Sequence, residues 1–280
     1  MAKKDAQPQY LVSRINNQVR NYNVYIMEPS EKLMYTLLVA LCGGAVGLIF
    51  YGGLFKRDGV ATMATTISNA VVFVGVALIA LKLFMPIITE SLRQKQISKL
   101  RTQFCDFAPA LANALGSGMN VQEAMEASYR DLVTQYSEDE LIVQEVREIL
   151  DGVRNNISVE DMILDFGQRS GVPDIVNFGI VFATCFRTGG NIKSIVRRTS
   201  EVISEKLIIA SEIETTITSN KMQMSIMNVL PIVIVLMMRL LSAEFAASFA
   251  SALGVLALTI SAGLFIGAYK WGQKIMDIKG

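Results

Sequence analysis

The sequence predicts an all-α polytopic membrane protein with four transmembrane helices and a cytoplasmic six-helix bundle whose last helix continues into the third span. Three observations predict it. Hydrophobic residues make up 51% of the 280 residues and mean hydropathy is +0.39, too apolar for a wholly water-soluble chain, while 18% charged residues is too many for a compact transporter. Four apolar stretches of about twenty residues, nearly free of charge, each match a bilayer core of ~30 Å. Between the second and third lie about 130 residues whose apolar positions recur at helical spacing, without an alternating strand pattern.

Residues 1–32 form a polar N-terminal segment assigned to the cytoplasm, too long and too mixed in charge for a signal peptide's basic region. Leu11, Ile15, Val19, Tyr22 and Ile26 recur at helical spacing with Arg14 and Arg20 between them, which predicts an interfacial helix on an anionic membrane surface; a frayed tail is the alternative. Residues 33–88 read as a transmembrane hairpin. Its first span, Leu33 to Phe55, carries no charge and is closed by Lys56-Arg57-Asp58-Gly59. Its second, Val60 to Ile88, holds Lys82 near one end and Pro86 in the last turn. Gly43 and Gly47 in the first span are four apart, as are Gly263 and Gly267 in the last, a spacing that lets membrane helices approach closely.

Residues 89–221 read as the helical domain. A first helix, Ser91 to Leu115, breaks at Gly116-Ser117-Gly118. Asn120 with Glu123 three positions on is a capping-box pattern that opens a second, to about Thr134. Ser137 with Glu140 repeats the pattern for a third helix to about Val153, and Ser158 with Asp161 opens a fourth that stops at Gly171. Pro173 stands in the first turn of a fifth, which reaches Arg187. After Gly189-Gly190-Asn191 comes the sixth, amphipathic from Ile192 to Lys221, which enters the third span at Met222.

Residues 222–271 are the second membrane hairpin and residues 272–280 a basic tail. Arg93, Lys95, Lys99, Arg101, Lys221, Lys274 and Lys279 flank the spans on one side, whereas residues 242–252 contain no Lys or Arg. The positive-inside rule therefore places both termini and the helical domain in the cytoplasm. Lys56 and Arg57 are the dissenting charges.

The composition excludes several chemistries. There is no histidine, which removes imidazole catalysis and the usual zinc and haem ligation. Cys42, Cys105 and Cys185 form no CxxC pair and read as packing residues. Residues 89–222 carry 14 basic against 19 acidic side chains, a net of −5, unlike a nucleic-acid-binding surface. The nearest approach to a phosphate loop, Gly267 to Lys274, has Gln273 where the lysine should be and sits at the end of a membrane helix. No catalytic, cofactor or metal constellation is expected, so the chain reads as a non-enzyme.

Candidate partner contacts are the turn Gly189, Gly190, Asn191 with its basic neighbours Arg187, Lys193, Arg197 and Arg198, and the acidic run opened by Glu138, Asp139 and Glu140. Capping glycines and a solvated helix face explain both without a partner. Arg239, two residues from the end of the third span, is expected to snorkel outward, toward Glu244. Few polar residues converge at mid-membrane, which disfavours the alternative of a small transporter or channel gated by a helical domain.

Three stretches carry a family resemblance: Leu100-Arg-Thr-Gln-Phe-Cys-Asp-Phe-Ala-Pro-Ala-Leu111, Ala114-Leu-Gly-Ser-Gly-Met-Asn-Val-Gln-Glu-Ala-Met125 and Arg187-Thr-Gly-Gly-Asn-Ile192. Over about residues 93 to 241 the chain resembles the type II secretion system F domain. One copy of the domain between two membrane hairpins is similar to the TadB- and TadC-type platform proteins of Tad pili. The turn leans toward the TadB type, with Arg187 in place of an acidic residue. The longer turn at 151–158 and Met162 depart from the family pattern. The resemblance implies an oligomeric inner-membrane platform that couples a separate hexameric secretion ATPase to pilin subunits, alongside a second platform protein of the same family.

Overall fold

A computed structural model describes residues 8, 10–12, 16–52, 63–242, 248 and 251–276. The described chain folds as a short hairpin, β1 (Tyr10–Val12) and β2 (Gln18–Arg20), followed by eight helices. These are α1 (Pro29–Tyr51), α2 (Met63–Gly116), α3 (Val121–Gln135), α4 (Leu141–Arg154), α5 (Val159–Ser170), α6 (Pro173–Thr188), α7 (Ile192–Leu241) and α8 (Ala252–Met276). They divide into a bundle unit, Met1–Ile26 with Thr89–Ala210, and a membrane unit, Met27–Ile88 with Ser211–Gly280. Both α2 and α7 contribute to each unit.

In the bundle unit, six helical segments bury one face each around an aromatic centre. Phe104 of α2 stands edge-on to Phe178 of α6 at 5.2 Å and also meets Phe107 and Phe166. Leu100 and Leu111 of α2, Ile142 and Ile149 of α4, and Met125 and Leu132 of α3 close the core around them. Each such side chain contributes about 1.5–3 kcal/mol through burial. Asn120 caps α3 reciprocally with Glu123, and Pro173 opens α6. Gly171 and Gly189 end α5 and α6 in the left-handed region, at φ +66° and +67°, where a side chain would be strained.

Two expectations fail here. The third helix begins at Leu141, not at Ser137, because its first-turn donors find another partner. The Gln103 carbonyl oxygen on α2 accepts from the Ile142 N–H at 3.2 Å, while its amide donates to Glu140 at 2.7 Å. The N-terminal segment, expected as an interfacial helix, instead forms the antiparallel pair β1–β2 with Leu11 opposite Val19. Asn16, at φ +62°, turns the chain back between the strands. Val19 and Tyr22 are then buried in the bundle unit, whereas Leu11 is half-buried and Ile26 is exposed. Ile15 lies outside the described residues.

What holds the N-terminal segment down is a buried polar network. The Tyr22 hydroxyl donates to Glu145 of α4 at 2.9 Å. Arg169 of α5 clamps the same carboxylate at 3.0 and 2.9 Å, reaches Asp165 at 2.6 Å and donates to the Arg20 carbonyl at 3.1 Å. The Glu145 and Arg169 side chains are 4% and 5% exposed, so removing either partner strands a charge in the core. Burial works against the charge on Arg169, but Glu145 and Asp165 outweigh it and hold the guanidinium above its ordinary value.

The membrane unit contains four helices long and apolar enough to cross a bilayer, in α1, α2, α7 and α8. The second span and the first bundle helix, expected as separate, are one helix with Pro86 inside it. The first span packs closely on the second. A Cβ at Gly43 would lie 2.6 Å from Ala80 Cβ, at Gly44 2.3 Å from the Phe73 ring, and at Gly47 2.9 Å from Val76. Gly263 and Gly267, by contrast, meet nothing within 4 Å among the described residues and make no such approach. The Tyr51 and Thr259 hydroxyls join α1 to α8 at 3.1 Å.

Arg239 is held within the membrane unit. Its guanidinium donates to the carbonyls of Leu48, Phe50 and Gly52 at 3.1–3.2 Å, sealing the C-terminus of α1. Glu244, its expected partner, lies outside the described residues, as does the turn at 56–59. The physical reason for this hold is the end of α1: the Leu48 carbonyl takes the Gly52 N–H at 2.8 Å, and the carbonyls that follow it lie past the last intrahelical donors.

Glu145→Ala should lower the stability of the full-length protein in detergent by about 3–5 kcal/mol, because it leaves Arg169 buried and uncompensated. Glu145→Ala with Arg169→Met should recover most of that loss in a thermal melt. A single substitution costing under ~1 kcal/mol would contradict the role given to the pair.

Candidate functional site

The turn between α6 and α7 is built from backbone first. The Gly189 N–H closes on the carbonyls of Cys185 and Phe186, and the Gly190 N–H returns to Cys185 at 3.0 Å. A Cβ on Gly190 would lie 2.8 Å from Cys185 Sγ, so any larger residue there would have to push the thiol aside. Asn191 accepts from the Ser194 N–H at 3.1 Å, which caps α7 as its sequence position predicts.

The structure sorts the basic cluster around this turn into two kinds. Arg187 pairs with Asp161 of α5 at 2.9 Å, tying the end of α6 to the start of α5. Lys193 donates to the Gly116 carbonyl at 2.6 Å, placing a positive charge on the C-terminus of α2. Arg197 and Arg198, adjacent residues about one turn beyond Lys193 on α7, are exposed and form no ion pair among the described residues. Those two guanidinium groups are therefore available to an outside partner. The polar ends of α2 and α7 meet here.

The acidic run resolves the same way. Glu138 pairs with Arg147, which also takes the Tyr129 hydroxyl at 2.7 Å. Glu140 binds Lys99 at 2.7 Å, and Glu145 is buried against Arg169. Only Asp139 of the three leading acids is exposed without an ion pair among the described residues. The run is thus mostly internal fastening, and among the described residues no hydrogen bond or ion pair joins the members of the two candidate surfaces.

Sequence reasoning missed the Tyr22–Glu145–Arg169 network, although its signal is present. Glu145 lies in register with Ile142, Val146 and Ile149, and Arg169 with Met162 and Phe166, so both charges sit on apolar faces. A charge inside such a stripe demands a buried partner. Among the described residues no group of three His, Cys, Asp or Glu side chains is placed to hold a metal ion. The arrangement can bind and brace; it presents charge and turn geometry for recognition.

Residues 107–240 match the family model described as Type II secretion system (T2SS), protein F. The match begins inside α2 and ends inside α7, so it takes in helices α3 to α6 entirely and supports that family for this part of the chain. No curated protein and no solved structure matches the chain.

The hydrogen bond from Lys99 holds the Glu140 carboxyl below its usual range. Its contribution to stability is therefore present above the ordinary carboxylate pKa and is lost as pH falls through the lowered value. Glu140→Gln should lower the melting temperature at neutral pH, and the gap from wild type should close as pH drops below about 4. A gap that stays constant into acid would show that the carboxylate charge is not what matters there.

Proposed function

We propose that this chain is an inner-membrane assembly platform for a type II-like secretion or Tad-type pilus machine. In this reading the bundle unit faces the cytoplasm with both termini, as the basic flanks of the spans direct. A separate hexameric secretion ATPase acts on the bundle unit, the membrane unit handles pilin subunits, and a second platform protein of the same family completes the assembly. The family match over residues 107–240 supports the class, together with four membrane-length helices.

The observation that carries the coupling role is the combination found on α7. Arg197 and Arg198 stand exposed at its polar end, while the helix runs unbroken through Pro231 to Leu241. A partner that grips the polar end of such a helix acts on a segment that continues into the membrane unit. The transporter reading has less support, because few polar residues converge at mid-membrane and Arg239 is committed to three α1 carbonyls.

Reversing both charges, Arg197→Glu with Arg198→Glu, should leave the melting temperature within about 1–2 °C of wild type, since neither side chain forms an ion pair among the described residues. The same variant should fail to recover the ATPase in a mild-detergent pull-down from the native host and should abolish pilus assembly or secretion. Undiminished ATPase recovery with normal assembly would remove α7 from the coupling surface. Solute movement by the reconstituted protein alone would favour the transporter reading.

A further inference from the structure

Residues 16–23 lie on the bundle unit as an extended strap. The hairpin they help to form has strands of three residues each, too short to be stable in water by itself. The surface beneath therefore fixes it, and that surface is a built acceptor on α4 and α5. Tyr22, 1% exposed, gives its hydroxyl to Glu145 and its backbone N–H to the Arg169 carbonyl at 3.1 Å. The Arg20 carbonyl accepts from the Arg169 guanidinium at 3.1 Å. One aromatic hydroxyl, one backbone donor and one backbone acceptor are thus read by three fixed groups, the way receptors read short extended peptides. Asn23 completes the contact over Gly171, where a Cβ would lie 2.3 Å from its Oδ1.

We propose that the α4–α5 cleft is a peptide-acceptor site for an extended, tyrosine-bearing segment, with residues 16–23 as its resident ligand and the same segment of a second copy as its exchange partner. The site is matched to its occupant, because Glu145 takes the Tyr22 hydroxyl while Arg169 takes the Arg20 carbonyl and the Tyr22 N–H. The sequence that satisfies every contact is the chain's own, so exchange between copies preserves each bond and costs little beyond release of the cis strap. Residues 24–28, which follow the strap, lie in neither helix nor strand and leave it a short irregular tether to α1.

The probe is a fluorescent peptide of residues 16–26, titrated by anisotropy against the full-length protein in detergent micelles. Binding to Tyr22→Ala should be at least about tenfold tighter than to wild type, whose cleft is filled in cis. A peptide carrying Tyr22→Phe should bind that variant about tenfold more weakly than the native peptide, for want of the charge-assisted bond to Glu145. Equal binding to wild type and Tyr22→Ala, or no binding to a folded Tyr22→Ala, overturns the proposal. Hydrogen exchange on the wild type gives a second reading that needs no variant. Amides of residues 19–23 exchanging at least about tenfold faster than those of α4 and α5 support a separable strap, and equal protection of all three overturns it.

Discussion

Helix ends impose the constraint on which this structure depends. The last carbonyls of a helix have no partner within it, and in a bilayer water cannot supply one. α7 answers that need twice, with a cation near each of its ends. Lys193 lies on the Gly116 carbonyl at the C-terminus of α2, and Arg239 spreads its planar fork over three carbonyls at the C-terminus of α1. A lysine suffices at the first site, where one carbonyl is bound. An arginine is needed at the second, where donors must diverge toward several acceptors. Placing positive charge on the negative end of another helix adds a favourable dipole contact in both cases.

The same rule explains why the bundle unit tolerates so much buried polarity. Gln103 reaches from α2 to serve the start of α4 with both ends of its amide. Arg169 satisfies two carboxylates and a strand carbonyl at once. Each group is costly to bury alone and acceptable when its neighbours are complete. The N-terminal strap belongs to this accounting as much as to the apolar core, because it supplies the Tyr22 hydroxyl and the Arg20 carbonyl that finish the network.

Much of this was legible in the residues. Four apolar runs announced the spans, Asn120 with Glu123 announced a capping box, and Pro173, Gly171 and Gly189 marked helix ends where the backbone allows few other residues. Local rules read these because they act over three or four positions. What escaped depended on partners far along the chain. Ser137 looked like a cap, but Gln103, more than thirty positions earlier, does the work. The stripe from Leu11 to Ile26 had helical spacing, yet Asn16 turns the backbone and the bundle surface captures Val19 and Tyr22. Of the basic cluster, the charge pattern identified all members alike. Only tertiary geometry separated Arg187 and Lys193, which brace the fold, from Arg197 and Arg198, which face outward.

The claim that cations on α7 complete the ends of two other helices is tested most directly by hydrogen exchange, read by mass spectrometry on the full-length protein in lipid nanodiscs. Lys193→Met and Arg239→Met are compared one at a time with wild type. The account predicts faster exchange confined to the last turn of α2 for the first variant and to the last turn of α1 for the second. Unchanged exchange at both helix ends, or a loosening spread evenly over the whole chain, would contradict it.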